Sequence, residues 1–267
     1  VLGLARKGFF IPYRYAHALP RPSARAPYAL SGDMLHTHEG DFRTLLDGMD
    51  SFIGDLKKIG RDTPPEPRWD QDWFPRLDAA AAYTLVRAGR PKHIVEVGSG
   101  HSTRFLARAM RDGGIDGRIT AIDPRPRSSL HGIPDLELLR APVQEIGLQV
   151  FKDLKPGDML FIDSSHVLMP GSDVDLLINR ALPGLPSGVL VHFHDIFLPD
   201  DYPHHWAWRG YNEQLAVAAL LTSKSYAPVF ASHFVVSRMR EVLSRSAVSR
   251  ILRPTGAIES SLWLRKI

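Results

Sequence analysis

From residue 93 to residue 195 the chain alternates short β-rich runs with helical patterns, and this alternation restricts the fold more than any other feature. The runs are HIVEV (93–97), RITAI (118–122), LELLR (136–140), DMLFID (158–163) and GVLVHFHD (188–195). Between them the spacing predicts helices over 102–112, briefly after 122, near 145–153 and over 173–182. Strands separated by helices pair in parallel, with the helices covering both faces of the sheet. A helix at about 210–222, a strand near 227–232, a basic helix over 238–252 and a last strand SLWLRKI (261–267) bring the strand total to seven. The fold class predicted is α/β, a doubly wound, seven-stranded, mostly parallel sheet of Rossmann-like type.

Ahead of the sheet the texture differs. Residues 1–40 hold Pro12, Pro20, Pro22 and Pro27 with no clean period, and read as an irregular arm. From Asp41 to Ile59 the apolar residues fall at helical spacing, with Asp41 as N-cap and Gly60 as the stop. Thr63-Pro64-Pro65-Glu66-Pro67 breaks the chain, and a second helix is expected from Pro75 to Ala88, ending at Gly89. The organisation expected is therefore an arm and helix over 1–73, acting as a lid or an oligomer contact, and one domain over 74–267.

The net charge of +4 is misleading as a guide to partners. Arg6, Lys7, Arg14, Arg21 and Arg25 all lie in the first 32 residues, which carry no acid, and the remaining body has 28 basic against 29 acidic residues. A nucleic-acid enzyme spreads a basic field over its working face, so nucleic acid is disfavoured as a partner. The absence of cysteine removes disulfides, thiolate metal sites and cysteine nucleophiles together. No apolar run approaches the roughly 20 residues of a membrane span, and no export signal is visible, so the expected location is the cytoplasm.

The sharpest local signal is Glu96-Val97-Gly98-Ser99-Gly100-His101-Ser102-Thr103, which follows a strand and opens a helix. Gly98 and Gly100 let the backbone turn tightly and approach a ligand, and Ser102 is a candidate helix cap. Asp123 ends the next strand, 23 residues after Gly100, where a carboxylate can accept both ribose hydroxyls of a nucleoside cofactor. A nicotinamide fingerprint wants a third glycine where Thr103 stands, so a cofactor without a pyrophosphate fits better.

Glu96-x-Gly98-x-Gly100 with Asp123 one strand later resembles the class I S-adenosylmethionine-dependent methyltransferases, over residues from about 74 to the end. EVGSGHST, FIDSSHV and VHFHDIF resemble more narrowly a branch that includes metal-dependent sugar O-methyltransferases. The resemblance implies that Gly98, Ser99, Gly100, Ser102, Thr103 and Asp163 line the S-adenosylmethionine site. It further implies that Glu96 lies near the amino end, Asp123 holds the ribose, and Pro142 and Val143 lie by the adenine. Trp73, Phe74 and Asp78 are expected to cover the methionine end.

Asp163-Ser164-Ser165-His166 ends the fourth strand and His194-Asp195 ends the fifth, at the sheet edge where ligands of open α/β folds bind. A hydroxyl acceptor needs a base, or a metal that acidifies it. The resemblance assigns His166 as base, has Asp163 and Asp195 assist the acceptor oxygen with or without a metal, and offers Asp163, His194 and Asp195 as ligands if a divalent cation (Mg, Mn or Zn) binds, with His194 outside the ligand set and no metal at all as the alternatives. His194 stands where the relatives offer an acid, and imidazole suits zinc or manganese better than magnesium. His192 reads as a core histidine. The aromatic loop 198–214, with Tyr202, His204, His205, Trp206, Trp208 and Tyr211, is placed to close over a substrate.

The expectation is methyl transfer from S-adenosylmethionine to a hydroxyl of a small, sugar-like or polyol-like molecule. The alternatives weighed are a nicotinamide-dependent oxidoreductase and a non-catalytic protein that binds an adenosyl ligand.

Overall fold

The structure is a computed structural model, and it describes residue 8 and residues 11–21, 24–60 and 63–267. Arg6 and Lys7 of the basic arm lie outside the described residues.

Seven strands form one sheet: β1 (His93–Val97), β2 (Arg118–Ile122), β3 (Leu136–Leu139), β4 (Met159–Ile162), β5 (Leu190–Phe193), β6 (Tyr226–Ala231) and β7 (Leu262–Lys266). Their order is β3-β2-β1-β4-β5-β7-β6. The first five pair in parallel, and β7 runs antiparallel to both of its neighbours. β1, β4 and β5 are buried along their whole length, as strands covered on both faces must be. The strand order reverses between β1 and β4, so the turns that follow these two strands diverge and leave a crevice at their carboxyl ends.

The helices are α1 (Ala29–Thr37), α2 (Glu39–Ser51), α3 (Ile53–Leu56), α4 (Arg76–Gly89), α5 (His101–Asp112), α6 (Val143–Ile146), α7 (Gln149–Lys152), α8 (Asp173–Leu176), α9 (Glu213–Thr222), α10 (Ser232–Arg238) and α11 (Arg240–Arg245). Several differ from the sequence reading. The arm is not irregular to residue 40, because α1 occupies 29–37 and packs on α9. The helix expected over 41–59 begins earlier and breaks at Phe52, which gives α2 and α3. The helix expected near 145–153 is two single turns around Gly147, whose φ of +80° interrupts the helix. The basic helix over 238–252 is shorter, with breaks at Met239 and Ser246. The segment after β2 forms no helix.

α1 to α3 share the core of the sheet domain. Phe42 of α2 meets Phe230 and Phe234 edge-on at ring separations of 5.9 Å. Asp50 accepts hydrogen bonds from the Ser246 hydroxyl and from the N–H groups of Ala247 and Val248. At the base of α4 the Arg76 guanidinium donates to both oxygens of the fully buried Glu259 at 2.9 Å, so two charges are buried as a matched bidentate pair. No helix among the described residues is long and apolar enough to cross a membrane.

Candidate active site

A cavity of about 880 Å³ opens at the carboxyl ends of β2, β1, β4 and β5, within the size range of small-molecule sites. Its walls include Gly98, Ser99, Gly100, His101, Ser102, Asp123, Pro142, Val143, Asp163, His166, His194 and Asp195. One sheet edge thus brings both sequence constellations into one space.

The glycine turn is built by short-range bonds. Gly98 has φ +83°, and a Cβ there would fall 1.8 Å from the Asp163 carbonyl oxygen. Only glycine allows the turn after β1 to lie against the turn after β4. A Cβ on Gly100 would meet nothing nearer than the Ser128 hydroxyl at 4.0 Å, so its missing side chain leaves open space on the cavity wall. The Gly100 N–H donates to Thr103 Oγ1 at 2.9 Å. Thr103 therefore caps α5, where Ser102 was expected to. The Ser102 hydroxyl donates instead to Glu96 Oε1 at 2.6 Å. Glu96 and Thr103 were expected to contact the cofactor, but neither lies on the cavity wall, and both are fully buried beneath the turn. Burial pushes the Glu96 carboxyl up to about 8, against the hydrogen bonds from Ser102 and Thr103.

Asp123 stands on the wall and braces the turn. Its Oδ2 accepts the Ser99 N–H at 2.9 Å and the Ser99 hydroxyl at 2.8 Å, and its Oδ1 accepts the Arg125 N–H at 2.7 Å. His101 was not singled out in the sequence, yet it lines the cavity with a buried Nδ1 that has no partner. Its pKa is lowered to about 4, by burial first and then by the charges of Arg104 and Arg68, so the ring is neutral at ordinary pH.

The second constellation is a mesh of acids and imidazoles. His166 Nε2 lies 3.3 Å from Asp163 Oδ1 and 3.5 Å from Asp195 Oδ2, and its Nδ1 is 2.9 Å from Glu213 Oε2. His194 Nδ1 lies 3.4 Å from Asp163 Oδ1 and 3.5 Å from Asp195 Oδ1, and its Nε2 is 3.4 Å from Asp78 Oδ2. His166 and Asp195 hold left-handed backbones, with φ of 59° and 55°. The N–H groups of Asn212 and Glu213 both donate to the His166 carbonyl, which fixes its turn to the start of α9. The Ser260 hydroxyl donates to Asp195 Oδ1 at 3.2 Å. Two residues that back the mesh escaped the sequence reading or were misplaced by it. Glu213, fully buried at the first position of α9, carries no local motif. Asp78 does not reach the cavity wall, and lies behind His194, where it accepts the N–H groups of Ser260 and Ser261.

Burial alone would raise the Asp163 carboxyl, but the His194 charge and the hydrogen bonds from His166 and His194 hold it far below the usual carboxylate range. Burial alone would lower both histidines, but the surrounding carboxylates raise each well above its ordinary value. The residues proposed for a metal do not fit one as they stand. Among the described residues no three His, Asp or Glu side chains are arranged to hold a metal ion. A divalent cation would have to displace the protons that pair these imidazoles with Asp163 and Asp195.

His192 is a core histidine. It is fully buried, stacked on Phe161 at 3.6 Å, with Nε2 2.8 Å from the Ser261 hydroxyl. From the aromatic loop, His205, Trp206 and Tyr211 reach the cavity, whereas Trp208 is 82% exposed and His204 lies off the wall. Tyr202 packs inside the loop, its hydroxyl accepting the Gln214 N–H.

Residues 95–196 match a family described as a methyltransferase domain. No curated protein matches the chain. Among solved structures it is similar to the SAH-bound methyltransferase PaMTH1 of Podospora anserina, at 14% identity and a TM-score of 0.45, covering 98% of this chain and 100% of that one. It is similar to CmcI solved with Mg and SAM, at 15% identity and a TM-score of 0.44, covering 80% and 84%. It is also similar to the O-methyltransferase TomG of Streptomyces achromogenes in complex with SAM, at 17% identity and a TM-score of 0.39, covering 76% and 90%. The glycine turn and the acid that braces it one strand on both lie within the stretch that matches the methyltransferase domain, residues 95–196.

Proposed function

We propose that the protein methylates a hydroxyl oxygen of a small polar acceptor, of the sugar or polyol kind, and that nucleic acid is not its substrate. The observation that carries this reading is the contact of the two turns. The Asp163 carbonyl presses on Gly98, so the acid–imidazole mesh begins where the cofactor turn ends. The cofactor supplies a methyl group activated on a sulfonium. Gly98, Ser99, Gly100 and Ser102 would bound its amino-acid and ribose portion, Asp123 would accept from the ribose, and Pro142 and Val143 would face the adenine.

The acceptor hydroxyl is a poor nucleophile until it loses its proton. His166 is placed to take that proton on Nε2, the nitrogen that faces Asp163 and Asp195. Glu213 accepts from Nδ1, which leaves Nε2 as the basic nitrogen of the neutral ring. The acceptor oxygen would gain the methyl group as the methyl–sulfur bond breaks and S-adenosylhomocysteine is left, and its proton would leave on His166. His166 starts protonated within the mesh, so turnover rises with pH as the imidazolium is emptied. Trp206 and Tyr211 cover the acceptor and reduce its contact with water.

The test has two stages. Calorimetry with S-adenosylhomocysteine and with a reduced nicotinamide examines the cofactor reading, and binding of the nicotinamide alone would overturn it. Mass spectrometry of products from a panel of sugars, polyols and phenols then examines the chemistry. Methyl groups found on nitrogen or carbon, and none on oxygen, would overturn the hydroxyl assignment.

A further inference from the structure

The acceptor end of the cavity carries a cation that the reaction leaves unused. Arg209 lies on the cavity wall, and its Nη1 stands 4.0 Å from Asp195 Oδ2. Its guanidinium is pinned by aromatic rings. Its central carbon sits 3.9 Å from the Trp206 centroid, 5.4 Å from that of Tyr211 and 5.7 Å from that of Trp208. Nη1 also donates to the Tyr211 hydroxyl at 3.4 Å. Tyr211 in turn lies 4.6 Å, ring to ring, from His166. The other donor edge, Nε with Nη2, has no hydrogen-bond or ion-pair partner among the described residues.

That edge presents two parallel N–H groups in one plane, the arrangement that matches both oxygens of a carboxylate. Trp206 against its central carbon and Tyr211 at Nη1 restrict the guanidinium in advance, so less rotamer freedom is left to lose on binding. A long, flexible arginine would not be clamped this way merely to meet Asp195 at 4.0 Å, a spacing too long for a hydrogen bond.

The geometry points to an acceptor that carries a carboxylate close to the hydroxyl that is methylated, with Arg209 receiving that carboxylate side-on through Nε and Nη2. This inference rests on the proposed function and narrows its substrate class to hydroxy acids. The carboxylate orients the acceptor. Its neighbouring hydroxyl is thereby presented to His166 Nε2.

The experiment uses the full chain saturated with S-adenosylhomocysteine and titrated by calorimetry with matched probes, glucuronate against glucose and 3,4-dihydroxybenzoate against catechol. At least one acid is expected to bind about tenfold or more tightly than its neutral partner, as a charge-assisted bidentate pair provides. Arg209→Gln is expected to erase that difference while leaving S-adenosylhomocysteine affinity and Tm in place. Equal binding of acid and neutral probes, absence of binding by either acid, or a preference that survives in Arg209→Gln would each overturn the inference. Failure of S-adenosylhomocysteine itself to bind is a separate result, which removes the proposed function and this inference with it.

Discussion

The two ends of the cavity are built in opposite ways. At the cofactor end the bonds that shape the turn join residues near one another in the chain. Gly100 bonds to Thr103, Ser102 to Glu96, and Ser99 to Asp123 across one strand crossing. At the acceptor end the partners come from far away. His166 meets Glu213 47 residues on, Asp195 meets Ser260 65 residues on, and Asp78 reaches Ser260 across 182. The first end is a turn whose shape its own sequence dictates. The second is a convergence that exists only once the sheet and α9 have assembled. Shape is therefore hard to change at the one end, and charge balance at the other.

If that contrast holds, substitutions should fail in different currencies. Gly98→Ala should have the largest effect, because its Cβ would strike the Asp163 carbonyl from a left-handed backbone. We expect a cost of about 3 kcal/mol, or about 6–12 °C in Tm, together with loss of S-adenosylhomocysteine binding. Gly100→Ala should keep Tm within about 1 °C and weaken S-adenosylhomocysteine about tenfold, since its Cβ enters open cavity. Equal melting losses in the two variants would break the steric account of the turn.

At the other end His166→Ala should lower turnover about 100-fold with cofactor affinity nearly unchanged, as removal of a general base does. Glu213→Gln should produce part of that loss, and the double variant should be no worse than His166→Ala alone. Strictly additive losses would show that Glu213 does not work through His166.

A smaller effect reads the buried acid under the turn. The Glu96 pKa is raised to about 8 in the folded chain, above its ordinary 4.5. The folded state therefore holds this proton more tightly than the unfolded state. The stability it contributes is fully present below pH 4.5 and is lost as pH rises through about 8. Denaturant titrations should show that loss at up to about 1.4 kcal/mol per pH unit, and Glu96→Gln should flatten it. An unaltered pH profile in the variant would assign the dependence elsewhere. The smallest expected change is that of Asp123→Ala, which should weaken S-adenosylhomocysteine by about 1 kcal/mol or somewhat more. Calorimetry that finds the same dissociation constant would remove Asp123 from the ribose site.

The same contrast explains what could be read from the sequence. Glu96-Val97-Gly98-Ser99-Gly100, Asp123, Asp163 and His194-Asp195 are legible because strand ends and glycine spacing are local signals. Even there, the roles of Ser102 and Thr103 are exchanged, since two adjacent hydroxyls at a helix start look alike until the direction of each is known. Glu213 is silent because one acid at the start of an apolar helix has many reasons to be there, and Asp78 reads as a cover for the methionine end because only the packed sheet brings it behind a histidine. Arg209 sits in a segment whose aromatic content was visible, but not which ring would cover which charge. α1 was missed because Ser31 and Gly32 are among its buried positions, so no apolar stripe marks it. The strands survived translation into structure best, and for β1, β4 and β5 the reason is burial on both faces, which leaves continuous apolar runs that little else produces.

The carbonyl of His166 is gripped by the first two amides of the helix that the aromatic segment feeds into. The aromatic segment that borders the cavity and the turn that carries His166 are thus tied to each other at one carbonyl. A substitution that shifted the start of α9 would be felt at the imidazole as well as at the cavity rim.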